Sequence, residues 1–164
     1  MIKKINILIL SMFGIGFSKY APGTMASFIT SIIFILLYQF QINIIILILA
    51  VSLIFVFSVY SIDKYKNYFI EVDAKEIVID EFVGQSIPIL TIYSLISKND
   101  IGSFMLYVLI SFILFRFFDI LKPYPANKVD KKMKNGFGVM FDDVIAGVYS
   151  SFILLIIATY IMYE

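Results

Sequence analysis

Five uninterrupted apolar runs organise the chain: Met25 to Phe40, Ile42 to Ile62, Phe82 to Ser97, Ile101 to Phe118 and Val144 to Tyr163. Each reads as a helix, since stretches of this length exceed what a buried strand needs. About 20 apolar residues cross a hydrocarbon core, so by length only the second and fifth runs are comfortable spans. The other three fit a thinned bilayer or buried helices of a partly embedded bundle. Ile5 to Phe17 is too short to span and predicts an interfacial or re-entrant helix, broken by Gly14, Gly16, Pro22 and Gly23. The pattern predicts an all-α, multi-span membrane bundle forming a single domain over residues 1–164. It has about five membrane-embedded helices plus the amino-terminal interfacial helix.

Tight links at Gln41 and at Ser97 to Ser103 would make helical hairpins of the first two runs and of the next two. The polar stretches Asp63 to Glu81 and Asp119 to Asp143 read as loops or partial helices within one domain. If every run crosses once, the basic residues divide unevenly. Lys3, Lys4, Lys19, Lys64, Lys66, Lys75, Arg116, Lys122, Lys128, Lys131, Lys132 and Lys134 fall on one side, and of the 13 only Lys98 falls on the other. Short Lys/Arg-rich loops stay cytoplasmic, which turns that face towards the cytoplasm.

Composition narrows the chemistry. Hydrophobic residues make up 61% of the chain, against roughly 45–50% in soluble domains. The run ending at Phe17 continues into Ser18, Lys19 and Pro22 without a small-residue cleavage pattern, so the amino terminus is expected to stay on the protein. Without cysteine or histidine, the chain has no disulfide, zinc-thiolate site, thiol nucleophile or imidazole base. Catalysis would rest on carboxylates, Lys, Arg, hydroxyls and a hard cation. A net charge of +1 offers no field for nucleic acid, and the aromatic residues belong to the apolar runs. No obligate protein partner is evident.

Acidic residues gather at helix ends on one predicted side: Asp80 and Glu81 open the third run, Asp119 closes the fourth, and Asp142 and Asp143 open the fifth. Taken singly such residues are ordinary caps and dipole partners. Two doublets and Asp119, each abutting an apolar run where charge is costly, point to a site that a divalent cation would stabilise. Oxygen-only ligands favour Mg²⁺. Arg116 and Asp119 share a helix face, and Lys122 follows before Pro123 and Pro125 end the helix, so cations for phosphate oxygens stand beside the carboxylates. Read blandly, Arg116 and Asp119 are a local ion pair at the interface. Lys19 to Ser27 is a Pro-Gly turn that delivers the Thr24 hydroxyl to a helix start, an anion-binding end or a plain N-cap. Gly136 to Gly138 reads as a flexible turn ahead of Asp142, and the lysines from Lys128 to Lys134 as topogenic charge.

Four blocks then resemble a known family. They are Tyr20 to Thr24 (Tyr-Ala-Pro-Gly-Thr), Asp80 to Gly84 (Asp-Glu-Phe-Val-Gly), Phe115 to Pro125 (Phe-Arg-Phe-Phe-Asp-Ile-Leu-Lys-Pro-Tyr-Pro) and Gly136 to Gly147 (Gly-Phe-Gly-Val-Met-Phe-Asp-Asp-Val-Ile-Ala-Gly). In order and over nearly the whole chain, they look like the signature blocks of the phosphatidylglycerophosphatase A family. Two positions depart from that pattern: Lys19 stands where proline is usual and Ala26 where glycine is usual.

The resemblance implies a Mg²⁺-dependent phosphatase of the bacterial cytoplasmic membrane. Its substrate would be an anionic phospholipid, phosphatidylglycerophosphate, cleaved to phosphatidylglycerol and phosphate. It implies Asp80, Glu81, Asp119, Asp142 and Asp143 as catalytic and metal-binding residues, and Thr24, Arg116 and Lys122 on the phosphate side, where Lys19 is an added candidate. Either water or Asp80 would be the nucleophile. The competing readings are a small cation or proton transporter using the same acidic cluster, which needs charge at mid-membrane, and a non-catalytic membrane scaffold.

Overall fold

The computed structural model describes residues 2–65, 74–96 and 100–163, and every regular element among them is helical. In chain order these are α1 (Ile2–Leu10), α2 (Pro22–Gln39), α3 (Ile44–Tyr65), α4 (Ile79–Tyr93), α5 (Ile101–Leu121), α6 (Ala126–Lys132) and α7 (Gly136–Tyr163), with a 3₁₀ turn at Ile15–Phe17. The five apolar runs correspond to α2, α3, α4, α5 and α7. Lys66 and Lys98, which the charge division counts on opposite sides, lie outside the described residues.

Four of these helices, α2, α3, α5 and α7, are long and apolar enough to cross a membrane. Only 22–39% of the residues in their crossing windows are buried, so their large apolar side chains, such as Leu53, Val56, Ile113 and Phe152, need a lipid solvent. α4 has 15 residues and is about 22 Å long, short of a full crossing by length. It is also the inner helix of the bundle, packed against α2, α3, α5 and α7. Neighbouring helices cover it on all sides, and it traverses the core without needing a lipid-matched length.

An aromatic cluster fixes the far end. The rings of Tyr38 and Phe104 stack at 3.8 Å, Tyr93 meets both edge-on, and its hydroxyl donates to the Leu37 and Ile42 carbonyls at 3.1 and 2.8 Å. This ties the end of α4 to the α2–α3 link, where Gln41 adopts a left-handed conformation (φ 53°) and Asn43 Oδ1 accepts from the Ile45 amide. The expected tight link is thus in place. Of the second link, 97–99 lie outside the described residues, and Asp100 caps α5 through the Ser103 amide.

Helix α7 departs from the sequence pattern. It starts at Gly136, eight residues before the apolar run, so the Gly136 to Gly138 stretch is helix rather than a flexible turn. Its first amides are satisfied by Asp63 Oδ1 of α3 at 2.7 Å, on Gly136, and by Asn135 Oδ1 at 2.8 Å, on Gly138. A β-carbon at Gly136 would overlap the Val59 carbonyl and one at Gly138 the Met133 carbonyl, so these glycines let the helix start against other backbone. Asp142 and Asp143 therefore lie in its second turn instead of opening it. Similarly, α2 starts at Pro22, with left-handed Ala21 (φ 40°) at the N-cap, and Thr24 is not its cap.

A close backbone approach joins α4 to α7. A β-carbon at Gly147 would overlap the Gly84 carbonyl, and one at Gly84 would lie 2.6 Å from the Phe115 ring and 2.8 Å from the Asp143 carbonyl. Pro88, four residues on, offers no amide to that Gly84 carbonyl, which leaves it turned towards Gly147. Overpacking this seam is expected to cost about 1–3 kcal/mol. Gly84→Val and Gly147→Val should lower the thermal midpoint measured by circular dichroism in detergent, whereas Val148→Leu on the exposed face should not. Equal midpoints for all three would show that the seam is not tightly packed.

Candidate active site

The bundle ends where α2, α4 and α7 begin and α5 finishes, and these termini enclose a polar pocket of about 160 Å³. Pro22, Gly23, Ala74, Lys75, Ile77, Asp80, Glu81, Asp119, Lys122, Asp142 and Asp143 line it. All five carboxylates singled out in the sequence reach this one cavity. Asp80 and Glu81 occupy the first turn of α4, whose free amides and dipole favour negative charge. Asp142 and Asp143 are successive residues on α7, so they diverge by about 100° and face different partners.

Asp80, Glu81 and Asp143 form the tightest group. One carboxylate oxygen from each lies within 4.8 Å of the others, and Asp80 and Asp143 are buried. Glu81 Oε2 and Asp143 Oδ2 are buried and accept no hydrogen bond among the described residues. Asp119 lines the same pocket. Converging carboxylates with unfilled lone pairs are unfavourable without a proton or a cation between them. Their oxygens are the hard donors that Mg²⁺ or Ca²⁺ takes, so the donor set fits a divalent cation.

The remaining two carboxylates hold the cationic side chains. Asp119 accepts from Arg116 Nη1 at 2.6 Å, as its i,i+3 spacing on α5 predicts, and that nitrogen lies 3.5 Å from Ser27 Oγ. Arg116 Nε is buried with no partner among the described residues. Asp142 Oδ2 pairs with Lys122 Nζ at 2.5 Å, and Asp130 of α6 lies 3.4 Å from the same nitrogen. Lys122 is the C-cap of α5 in a left-handed conformation (φ 43°), which swings its side chain out of the helix axis and across to α7. Burial, the largest influence on its ammonium, works to lower the pKa. The hydrogen bond and charge of Asp142, with the charges of Asp130 and Asp143, outweigh it and raise the pKa, so Lys122 stays protonated.

Gly23 forms one wall. A β-carbon there would overlap the Glu81 carboxylate and lie 3.3 Å from Arg116 Nη1, so α2 can begin against these groups only with glycine. Thr24 is half-buried in that turn but does not line the pocket, and Lys19 is exposed and does not line it either. Gly23, Ser27 and Lys75 are the site residues that the sequence reading missed. For Gly23 the Pro-Gly pair was the available signal, whereas Ser27 and Lys75 carried none beyond lying close to the motifs.

A family model described as Phosphatidylglycerophosphatase A matches residues 8–158 of the chain. A Bacteroides thetaiotaomicron protein named "Putative phosphatidylinositol-3-phosphatase" is 39% identical over 159 residues, 95% of this chain and 94% of its own. A "Phosphatidylglycerophosphatase A" of Haemophilus influenzae is 36% identical over 95% of this chain and 93% of its own length, and that of Escherichia coli is 32% identical over 88% and 78%. No solved structure matches.

The three-carboxylate group makes a direct prediction about cation binding, readable with Mn²⁺ by electron paramagnetic resonance. Asp80→Asn and Asp143→Asn should each weaken Mn²⁺ binding at least about 10–100-fold, the range found for ligand-supporting groups. Asp63→Asn, at the α7 cap, should bind as the parent does. Unchanged binding in both carboxylate variants would rule this group out as the cation site.

Proposed function

Because the chain belongs to the phosphatidylglycerophosphatase A family, we propose that it hydrolyses the terminal phosphomonoester of phosphatidylglycerophosphate, giving phosphatidylglycerol and inorganic phosphate. It is a phosphoric monoester hydrolase. The observation that carries this reading is the single pocket in which three carboxylates converge beside a lysine, with an arginine paired to a fourth carboxylate, at the end of a lipid-exposed bundle.

Hydrolysis requires water to attack phosphorus in line, the ester P–O bond to break, and the departing glycerol oxygen to take up a proton. Lys122, held protonated by Asp142, supplies a positive charge for the phosphoryl oxygens. Arg116 is fixed in orientation by Asp119 and adds positive charge behind that carboxylate. Asp80, Glu81 and Asp143 would hold Mg²⁺. When bound there, the ion supplies Lewis-acid stabilisation of the charge growing on the phosphoryl oxygens. Asp119 and Asp142 act on this reading as supports of the cationic side chains. Thr24, next to Gly23 in the first turn of α2, and the amides of that turn are proposed to steady the phosphate from outside the pocket.

The substrate partner is an anionic phospholipid within the membrane. Among the described residues the basic side chains lie on the segments at the pocket end, and none lies on the link between α2 and α3. By the positive-inside rule this supports a pocket facing the cytoplasm, and the bacterial relatives support the inner membrane as its location. The same one-domain arrangement is proposed to extend over all of 1–164.

Phosphate release from phosphatidylglycerophosphate in detergent tests the reading. With Mg²⁺ present the wild-type protein should turn over, and with chelator it should not. Asp143→Asn and Asp142→Asn should each lower kcat/KM by about 10²–10³, the size of loss seen on removing one group that stabilises developing charge. A well-folded protein that releases no phosphate from this lipid, or one indifferent to chelator, would refute the proposal or its metal requirement respectively.

A further inference from the structure

One turn of α4 has two sides. Asp80 and Glu81 face the polar pocket, while Ile79 and Phe82, three positions apart and so on a common face, line an apolar groove of about 440 Å³. The groove continues between Ile33 of α2 and Ile54 of α3 and is closed above by Met12 and Phe13, in the turn after α1. Every side chain lining it is Ile, Met or Phe.

The covering turn is unusual in its backbone. Met12, Phe13 and Gly14 are left-handed in succession, with φ of 46°, 57° and 101°. Two of them carry side chains, a costly arrangement that persists only where surrounding structure enforces it. Here the Phe13 amide bonds the Leu8 carbonyl at 2.7 Å, the Gly16 amide the Ser11 carbonyl at 3.0 Å, and the Val78 amide the Leu10 carbonyl at 3.0 Å. A β-carbon at Gly16 would overlap the Glu76 carbonyl, so the turn lies directly on the segment that leads into Asp80. The result turns Met12 inward, at 6% exposure, and leaves Phe13 at the rim, at 81%.

We infer that this groove receives an acyl chain of the phospholipid substrate, with the α1 turn as its lid and the phosphate end laid across α4 onto the carboxylates. The inference rests on the lipid phosphatase reading. Continuity selects the occupant: the apolar trench and the charged pocket meet across a single helical turn, and an amphiphile with a phosphorylated head is the ligand that fills both. The walls support it, because Ile33 and Ile54 belong to helices suited to crossing a membrane, which places the groove at the depth of lipid tails.

The full-length protein in detergent decides it. Phosphate release is compared between long-chain phosphatidylglycerophosphate and its water-soluble deacylated head group. Ile33→Trp and Ile54→Trp, which fill the groove, should reduce kcat/KM on the long-chain lipid by about tenfold or more and leave the head group's nearly unchanged. In parallel, phosphatidylglycerol with a mid-chain diazirine should label 12–17, Ile33 or Ile54 of the wild type. Equal activity of the filled variants on the lipid overturns the inference. So does labelling concentrated on the other apolar groove, between Phe28 of α2 and Phe112 of α5. If the wild type releases phosphate from neither substrate, the phosphatase reading fails, and the labelling alone decides whether the groove holds an acyl chain.

Discussion

The backbones of α4 and α7 meet without side chains between them at Gly84 and Gly147. In a lipid solvent apolar burial offers little drive for helices to associate, and close backbone packing between small residues takes its place. The position of the seam matters as much as its closeness. Gly84 lies one turn beyond Asp80, and the groups nearest to it include the Asp143 carbonyl, so the contact that draws the helices together also sets the separation of their carboxylates. Larger residues here would part the two halves of the acidic group without any change to the carboxylates themselves.

The pocket's charges are arranged in two tiers. Five carboxylates face Lys122 and Arg116, but Asp142 and Asp119 are each committed to one of these cations at 2.5 and 2.6 Å. The pairs restrain two long side chains that would otherwise be mobile, and they leave Asp80, Glu81 and Asp143 as an uncompensated group. An excess of negative charge inside an apolar bundle is unfavourable by itself and attractive to a cation. The strain of Lys122's left-handed backbone belongs to the same design, since a helical Lys122 would point along α5 rather than across to α7.

Much of this was legible in the chain. The apolar runs gave the five core helices because in lipid the pattern and the fold obey the same constraint, with every backbone group satisfied inside a helix. The acidic doublets, Asp119, Arg116 and Lys122 stood out because charge beside an apolar run is expensive; the carboxylates and Lys122 line the pocket, and Arg116 stands behind it, paired with Asp119. What was not legible depended on partners distant in sequence. The start of α7 is fixed by Asp63, 73 residues away, and by glycines whose missing β-carbons admit foreign carbonyls, so a stretch that reads locally as a turn is helix. Gly23 belongs to the site for a similar reason: its contribution is space for Glu81 and Arg116, which no motif spells out. The division of labour between Asp142 and Asp143 likewise follows from helix phase once the true start of α7 is known.

The layers beneath the pocket separate the enzyme reading from a conduction path. One turn below Glu81, the buried Gln85 donates to Ser31 Oγ at 3.3 Å and Ser111 Oγ at 3.2 Å, joining α4 to α2 and α5 in a polar floor. Below it, Phe34, Ile89, Ile92, Phe104 and Leu154 are each 1% exposed or less. The hydroxyls at that depth are taken up by backbone carbonyls of their own helices, Thr91 by Ile87, Ser150 by Ala146 and Ser151 by Gly147, and Thr91 also donates across to Ser151 Oγ at 3.2 Å. An ion leaving the carboxylates in that direction would meet a packed apolar core closed at its far end by the stacked rings of Tyr38 and Phe104. Among the described residues no buried charged side chain lies there to offset desolvation. The buried charged groups are therefore confined to one end of the bundle, where a membrane-anchored head group can meet them, and the groove proposed for an acyl chain would hold the lipid end of such a ligand.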